Sequence, residues 1–369
     1  SWGDAHPSDR FELYVNGRGV AGNYVGISGA DVLEAMDYVM EHWSIDPDRV
    51  HLAGGSMGGY GTFELASRFP DKFATAVPWC GSGFHLPMEN LRHVPLYALH
   101  SDDDWTVLIC GARAAVHAIN AFDGTAVMDE TTGYGHGIGR YDAGRARMEA
   151  WRKGRTRRTV CEARKVLFTA LDGAARSAYW LSILEWGPEH RPARMIGEIS
   201  RENVLNLNLG NVKSLRVDLA ESPADTLKPM QVRVNGRDLP TLEPPLPPTL
   251  YVAHDDSGWS VRPIRPDTGP ARLRYPGGPW TLYQGEPVMI VWGTRGSESE
   301  TARLAALAET ARHTSRPWWT AKNRWHWMPY GGLPAKPDHA VTPEDIQTRN
   351  LILIGTAAQN SVVASIAPE

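Results

Sequence analysis

The stretch Ala53-Gly54-Gly55-Ser56-Met57-Gly58-Gly59-Tyr60-Gly61 constrains this chain more than any other. It contains Gly-x-Ser-x-Gly, with Ser56 at its centre. The apolar run 50–53 precedes it, and a helix-like segment follows. A strand that turns at once into a helix brings two backbones close together. Side chains at Gly54 and Gly58 would collide there, and glycine removes the collision while admitting unusual dihedrals. Ser56 is therefore expected at the tip of a tight turn. The N-terminus of the following helix should face whatever the serine meets.

The chain has 369 residues, enough for two or three domains. Hydrophobic residues make up 42% and charged residues 22%, a globular rather than a disordered balance. The formal net charge of −4 argues against nucleic acid as a main partner. One basic run, 152–158, follows a helical segment and reads as a solvated helix end and linker. Cys80, Cys110 and Cys161 are scattered and form neither a disulfide framework nor a zinc spacing. No apolar run approaches membrane-spanning length. The chain begins Ser1-Trp2-Gly3, so a processed start or a piece of a longer protein is expected.

Alternation over 11–15, closed by Asn16-Gly17, predicts a strand. Ser28 and Asp31 resemble a capping box, and Leu33, Met36, Met40 and Trp43 then recur at helical spacing. A helix is predicted from Met57 to Phe69, with strands over 73–77, 94–99 and 125–129 and a helix over 112–122. Strands alternating with helices imply a parallel sheet covered on both faces. The pattern changes near residue 159. Short runs at 166–170, 204–209, 215–219 and 231–234, separated by turn signals, predict a small β-sandwich. The proline-rich 240–248 stretch reads as a stiff connector or edge loop. Beyond about 285 the α/β pattern returns, with strands over 288–292 and 351–354 and a helix over 298–313. The predicted organisation is a partial α/β sheet unit over 1–158, a β-sandwich-like domain over 159–284 and a second α/β unit over 285–369.

A serine hydroxyl needs a base to take its proton, and that base needs an orienting carboxylate. The acid candidates lie in His100-Ser101-Asp102-Asp103-Asp104-Trp105-Thr106-Val107, just past a predicted strand, where an open parallel sheet places functional residues. The residues alone leave all three aspartates open. The base candidate is His136 in Gly133-Tyr134-Gly135-His136-Gly137, whose glycines let a loop bend close to the serine.

These segments together resemble the esterase and peptidase branch of the α/β-hydrolases. That group includes prolyl-oligopeptidase-like hydrolases, feruloyl and acetyl-xylan esterases and polyhydroxyalkanoate depolymerases. The resemblance covers about 24–151. It includes Ile45-Asp46-Pro47-Asp48-Arg49-Val50 leading into Gly55-Ser56-Met57-Gly58-Gly59, and Phe69-Pro70-Asp71-Lys72-Phe73-Ala74. The family's acid segment, His-Gly-x-x-Asp-x-x-Val, laid on His100 and Val107, selects Asp104; Ser101 stands where the family has glycine. The resemblance implies Ser56 as nucleophile, His136 as general base, Asp104 as its orienter and the Met57 N–H as one oxyanion donor. It implies acyl transfer to water without a cofactor, on a small-molecule or polymer-linked ester, with a peptidase as the alternative. A non-catalytic binding protein with a decayed hydrolase domain is the third reading. Relatives of this kind are commonly exported. The family sheet opens with strands absent here, and a loop among them supplies its second oxyanion N–H. A weak enzyme is therefore expected of these residues alone.

Weaker signals remain. Trp79, Trp105 and Phe84 could line an acyl pocket, or fill core space. The tryptophan cluster of 318–327 could stack on sugars, though packing explains it as well. Gly293-Thr294-Arg295-Gly296-Ser297 resembles a phosphate cradle but reads best as an ordinary strand-to-helix turn. Histidines and carboxylates are too dispersed along the chain to predict a metal cluster.

Overall fold

The computed structural model describes residues 10–16, 24, 27–173, 175–187, 192–264, 288–314 and 334–366. The chain divides into two compact units, residues 1–277 and 278–369.

The first unit begins with helix α1 (Ile27–His42), strand β1 (His51–Gly55) and helix α2 (Met57–Arg68). Strand β2 (Thr75–Trp79), β3 (Leu96–Ser101), helix α3 (Cys110–Ala121), β4 (Ala126–Thr131) and helix α4 (Asp142–Arg152) follow. The four strands form one parallel sheet in the order β1-β2-β3-β4. The period-2 geometry of β3 sorts its side chains between two cores. Leu96 and Ala98 pack with Met36, Phe63 and Ile119 beneath α1, α2 and α3. Tyr97 and Leu99 point the other way, to Ile138 and Met148 of the α4 side. A sheet covered on both faces needs near-continuous apolar strands, and β2 and β3 meet that requirement. The α/β class expected of this region is therefore what the chain adopts.

The strand expected over 11–15 does not form. Those residues join no sheet, and Phe11, Leu13 and Tyr14 are exposed. Alternation fits a chain to a pleated surface only where a neighbouring strand supplies backbone partners. Among the described residues β1 is an edge whose one neighbour is β2, and no ladder reaches 11–15. Helix α1 also begins at Ile27, one residue before the expected cap at Ser28.

Ten further strands of this unit form two five-stranded sheets. One contains β5 (Lys165–Ala170), β8 (Ala193–Ile199), β9 (Val204–Gly210), β11 (Gln231–Val234) and β12 (Arg237–Asp238). The other contains β6 (Ser177–Ala178), β7 (Leu181–Trp186), β10 (Val212–Asp218), β13 (Thr249–Asp255) and β14 (Gly258–Arg262). Inward residues of both, among them Phe168, Met195, Ile183, Leu215 and Val252, share one core. Trp180 is buried in it and donates its indole N–H to Ala163 O at 2.7 Å. Asn90, buried, stitches α2 to this sandwich. Its amide donates to Ser67 O (2.8 Å) and Thr169 O (3.1 Å) and accepts from the Thr169 N–H (2.8 Å).

The second unit holds a three-stranded parallel sheet in the order β16-β15-β17. Its strands are β15 (Val288–Trp292), β16 (Ala335–Pro337) and β17 (Asn350–Ile354), and helix α5 (Glu298–Thr314) follows β15. Asp338 ties the loops at the C-terminal ends of these strands. It accepts from the Thr294 N–H (3.1 Å), the Thr294 hydroxyl (2.6 Å) and the Ser361 N–H (2.6 Å). The donors of the 293–297 turn are already taken: Arg295 N–H goes to Gln359 O and Ser297 N–H to the Glu300 carboxylate, both at 2.9 Å. Two carboxylates thus stand where a phosphate would need N–H groups. The 318–327 tryptophan cluster lies outside the described residues.

Burial opposes ionisation of Asp338, but the donors from Ser361 and Thr294 outweigh it and hold the carboxyl below its ordinary value. A depressed acid stabilises the fold above its unfolded pKa and loses that contribution as pH falls through the folded one. Asp338→Asn should cost roughly 1–3 kcal/mol at neutral pH. The gap should narrow as pH drops below about 4. Urea unfolding of both proteins across that range checks this; a gap independent of pH would refute it.

Candidate active site

Ser56 sits between β1 and α2 with φ 55° and ψ −115°. Non-glycine residues held in such regions cost about 1–3 kcal/mol and persist only where their surroundings fix them. Here the Ser56 N–H donates to Trp79 O (3.0 Å) and lies 3.2 Å from Cys80 Sγ. The Ser56 carbonyl accepts from the Tyr60 N–H at 3.0 Å. A Cβ at Gly54 would strike the Gly58 backbone, and one at Gly59 would come within 2.6 Å of Trp79 O. Strand, turn and helix are therefore in contact at their backbones. Met57 is the first residue of α2, so its N–H has no acceptor within the helix.

His136 lies in the turn Gly135–Arg140, just after β4. Its Nε2 is 2.7 Å from Ser56 Oγ, and its Nδ1 is 2.8 Å from Asp104 Oδ2. A carboxylate can only accept, so Nδ1 carries the proton and Nε2 is left to accept from the hydroxyl. The serine, histidine and Asp104 singled out in the sequence thus form one hydrogen-bonded line.

Asp104 is buried, whereas Asp102 and Asp103 are exposed. Its Oδ1 accepts from the backbone N–H of Thr106 and of Val107, each at 2.9 Å. Burial works against the charge, but the Val107 N–H, His136 and the Thr106 N–H together keep the carboxyl below its ordinary value. Asp104 is thereby ionised and able to stabilise a positive imidazole beside it.

Three further residues contribute in ways that the sequence did not assign them. His100, buried, donates through Nε2 to Val107 O at 2.9 Å and lies 3.3 Å from Asp104 Oδ2. Asp103, one of the three aspartates left open as acid candidates, accepts from the Gly135 N–H at 3.0 Å and from the Ser101 hydroxyl, joining the acid loop to the histidine turn. Cys80, with φ 38°, sits at the end of β2 beneath the serine. Burial pushes its thiol up to about 11. Cys80, Asp104 and His136 each offer a ligand atom, all within 4.8 Å of one another. These groups are far apart in sequence, which is why no cluster was legible there.

Trp79 is half-buried, its indole occupying the space beside Gly55 where a Cβ would lie. Trp105 follows Asp104 and is 84% exposed; Phe84 is 67% exposed. No helix among the described residues is long and apolar enough to cross a membrane.

Residues 18–85 match the prolyl oligopeptidase family. This stretch is α/β-hydrolase in kind, of the esterase and prolyl-oligopeptidase-like branch. It carries the Ser56 turn but ends before Asp104 and His136. An acetylxylan esterase of Coprinopsis cinerea is 30% identical over 70 residues, covering 19% of each chain. A bifunctional acetylxylan esterase/xylanase of Neocallimastix patriciarum is 32% identical over 73 residues, covering 20% of this chain and 11% of that one. The chain thus spans a fifth or less of the length of these curated relatives. Among solved structures, a thermostable esterase shares 25% identity at TM-score 0.34, covering 35% of this chain and 37% of that one. A dipeptidyl aminopeptidase IV of Bacteroides ovatus shares 16% at TM-score 0.31, covering 34% and 22%.

The hydrolase-like turn leaves no room at Gly54. Gly54→Ala should destabilise the protein by about 1–3 kcal/mol by parting β1 from α2. Thermal unfolding checks this, with Gly173→Ala, where a Cβ meets nothing within 4 Å, as the control. Equal behaviour of the two variants would refute the close contact.

Proposed function

We propose that this chain is a serine hydrolase that transfers the acyl group of a carboxylic ester through Ser56 to water. The observation that carries the reading is the line of hydrogen bonds from Ser56 Oγ to His136 (2.7 Å) and on to Asp104 (2.8 Å).

In this reading Ser56 Oγ attacks the carbonyl carbon as His136 Nε2 takes its proton. Asp104 stabilises the imidazolium and holds the tautomer that leaves Nε2 free. The Met57 N–H, at the positive end of α2, donates to the developing oxyanion. His136 then protonates the departing alcohol. Water repeats the sequence on the acyl-serine and releases the acid. No metal or cofactor is required at any step.

Ester is favoured over amide because both curated relatives bear acetylxylan esterase names. A peptidase of the prolyl oligopeptidase type is the second reading, supported by the family match at 18–85. Trp105 and Phe84, exposed on loops beyond the C-terminal strand ends, suit the flank of a polymer-linked or aromatic substrate. Trp79, half-buried beside Gly55, suits the inner wall of the same pocket.

A fluorophosphonate probe should label the wild type and not Ser56→Ala. Asp104→Asn should slow turnover on the order of 10⁴-fold while the protein stays folded. Unlabelled wild type would end the enzyme reading and favour a binding protein. Aminoacyl anilides cleaved faster than p-nitrophenyl acetate or butyrate would favour the peptidase.

A further inference from the structure

Cys80, Asp104 and His136 are delivered by the ends of three adjacent parallel strands, β2, β3 and β4. Each is fixed by bonds of its own. The Cys80 N–H donates to Leu99 O at 3.1 Å. Asp104 is held by the Thr106 and Val107 amides, and the His136 turn is held by Asp103. A thiol, a carboxylate and an imidazole within 4.8 Å of one another are the donors of a zinc-type site with three protein ligands and one open position.

We propose that Cys80, Asp104 and His136 form a binding site for a thiophilic divalent cation, Zn²⁺ or Co²⁺, whose occupancy switches off Ser56. Thiolate and imidazole select such ions over Mg²⁺ and Ca²⁺, which prefer all-oxygen shells.

The chemistry follows from the tautomer. His136 Nδ1 faces Asp104 at 2.8 Å, so a cation seated between them takes the place of the Nδ1 proton. That proton moves to Nε2, and the imidazole stays neutral. Cys80 gives one proton to solvent and binds as thiolate. The cation adds two positive charges and the lost proton removes one, so the buried site passes from one net negative charge to none. Nε2 then presents N–H to Ser56 Oγ and can no longer accept its proton. The His136 side chain is 30% exposed, which leaves a way in.

The inhibitory half of the proposal rests on the reading of Ser56 as nucleophile; the binding half does not. Both are tested in the 369-residue chain carrying Cys110→Ser and Cys161→Ser, since those two free thiols are exposed. Titration with Co²⁺ should raise a near-ultraviolet thiolate-to-cobalt charge-transfer band that Zn²⁺ displaces. Adding Cys80→Ser should abolish the band, and its labelling without Zn²⁺ sets the baseline for its own comparison. His136→Gln, which keeps Cys80, should also lose the band, so the test survives if Cys80→Ser fails to fold. At free Zn²⁺ about 100 times its dissociation constant, labelling should fall to roughly one hundredth and return with a chelator. The Cys80→Ser protein should label alike with and without Zn²⁺. Absence of the band, its persistence in either variant, or labelling indifferent to saturating Zn²⁺ would overturn the proposal. A band in a protein that the probe never labels would support the cation site and sink the hydrolase reading instead.

Discussion

A buried carboxylate organises the rim of the first sheet. Removing an ionised acid from water costs several kcal/mol unless hydrogen bonds replace the lost solvation. Asp104 meets that demand with two amides of its own loop and the His136 imidazole. Satisfying Oδ1 with the Thr106 and Val107 amides winds the chain tightly after β3. Satisfying Oδ2 draws in the histidine turn from the next strand. Asp103 adds a second tie between the same two segments, through the Gly135 N–H. The imidazole is thereby oriented by the fold itself, without substrate.

The serine side is held by different means. Its positive φ is unfavourable, and it is compensated by contacts that only close backbone approach allows. Glycines at 54 and 59 let β1, α2 and the end of β2 touch, whereas a Cβ at Gly58, where a collision was expected, would meet nothing within 4 Å. The Trp79 carbonyl and the Cys80 sulfur then both meet the Ser56 N–H. The same crowding that strains Ser56 thus places a thiol directly beneath it. Cys80 is a product of the turn's packing, and its proximity to the relay follows from there.

Much of this was legible before the fold was known. Glycine spacing around Ser56 marks the turn because so few backbones tolerate it. Helical spacing marked α1 to α3 because each helix buries one face, and short apolar runs marked β1 to β4. Three consecutive aspartates could not be separated by pattern, since only the torsions of the loop decide which one turns inward. His100 and Cys80 were silent for another reason: their partners lie on neighbouring strands, and pairing is a tertiary fact. The failed strand at 11–15 is the reverse case. Its alternation was real, but a strand is defined by a partner, and among the described residues none is present.

The second unit sharpens what the order of contacts means. There too a buried aspartate follows a parallel strand, with a hydroxyl and a histidine close by: Asp338, Thr294 and His339. The residue types parallel those at the first rim, yet the sequence of bonds differs. The Thr294 hydroxyl gives its proton directly to Asp338, and His339 Nδ1, 3.2 Å from Thr294 Oγ, stands 4.0 Å from the carboxylate. An acid that binds the hydroxyl cannot orient the base, and a hydroxyl already donating to an acid has no proton to give the imidazole. The remaining acceptor capacity of Asp338 goes to backbone amides that close the sheet's loops. At the first rim the imidazole stands between hydroxyl and carboxylate; at the second the hydroxyl does. That exchange of positions separates a relay that can move a proton from a staple that holds three loops together.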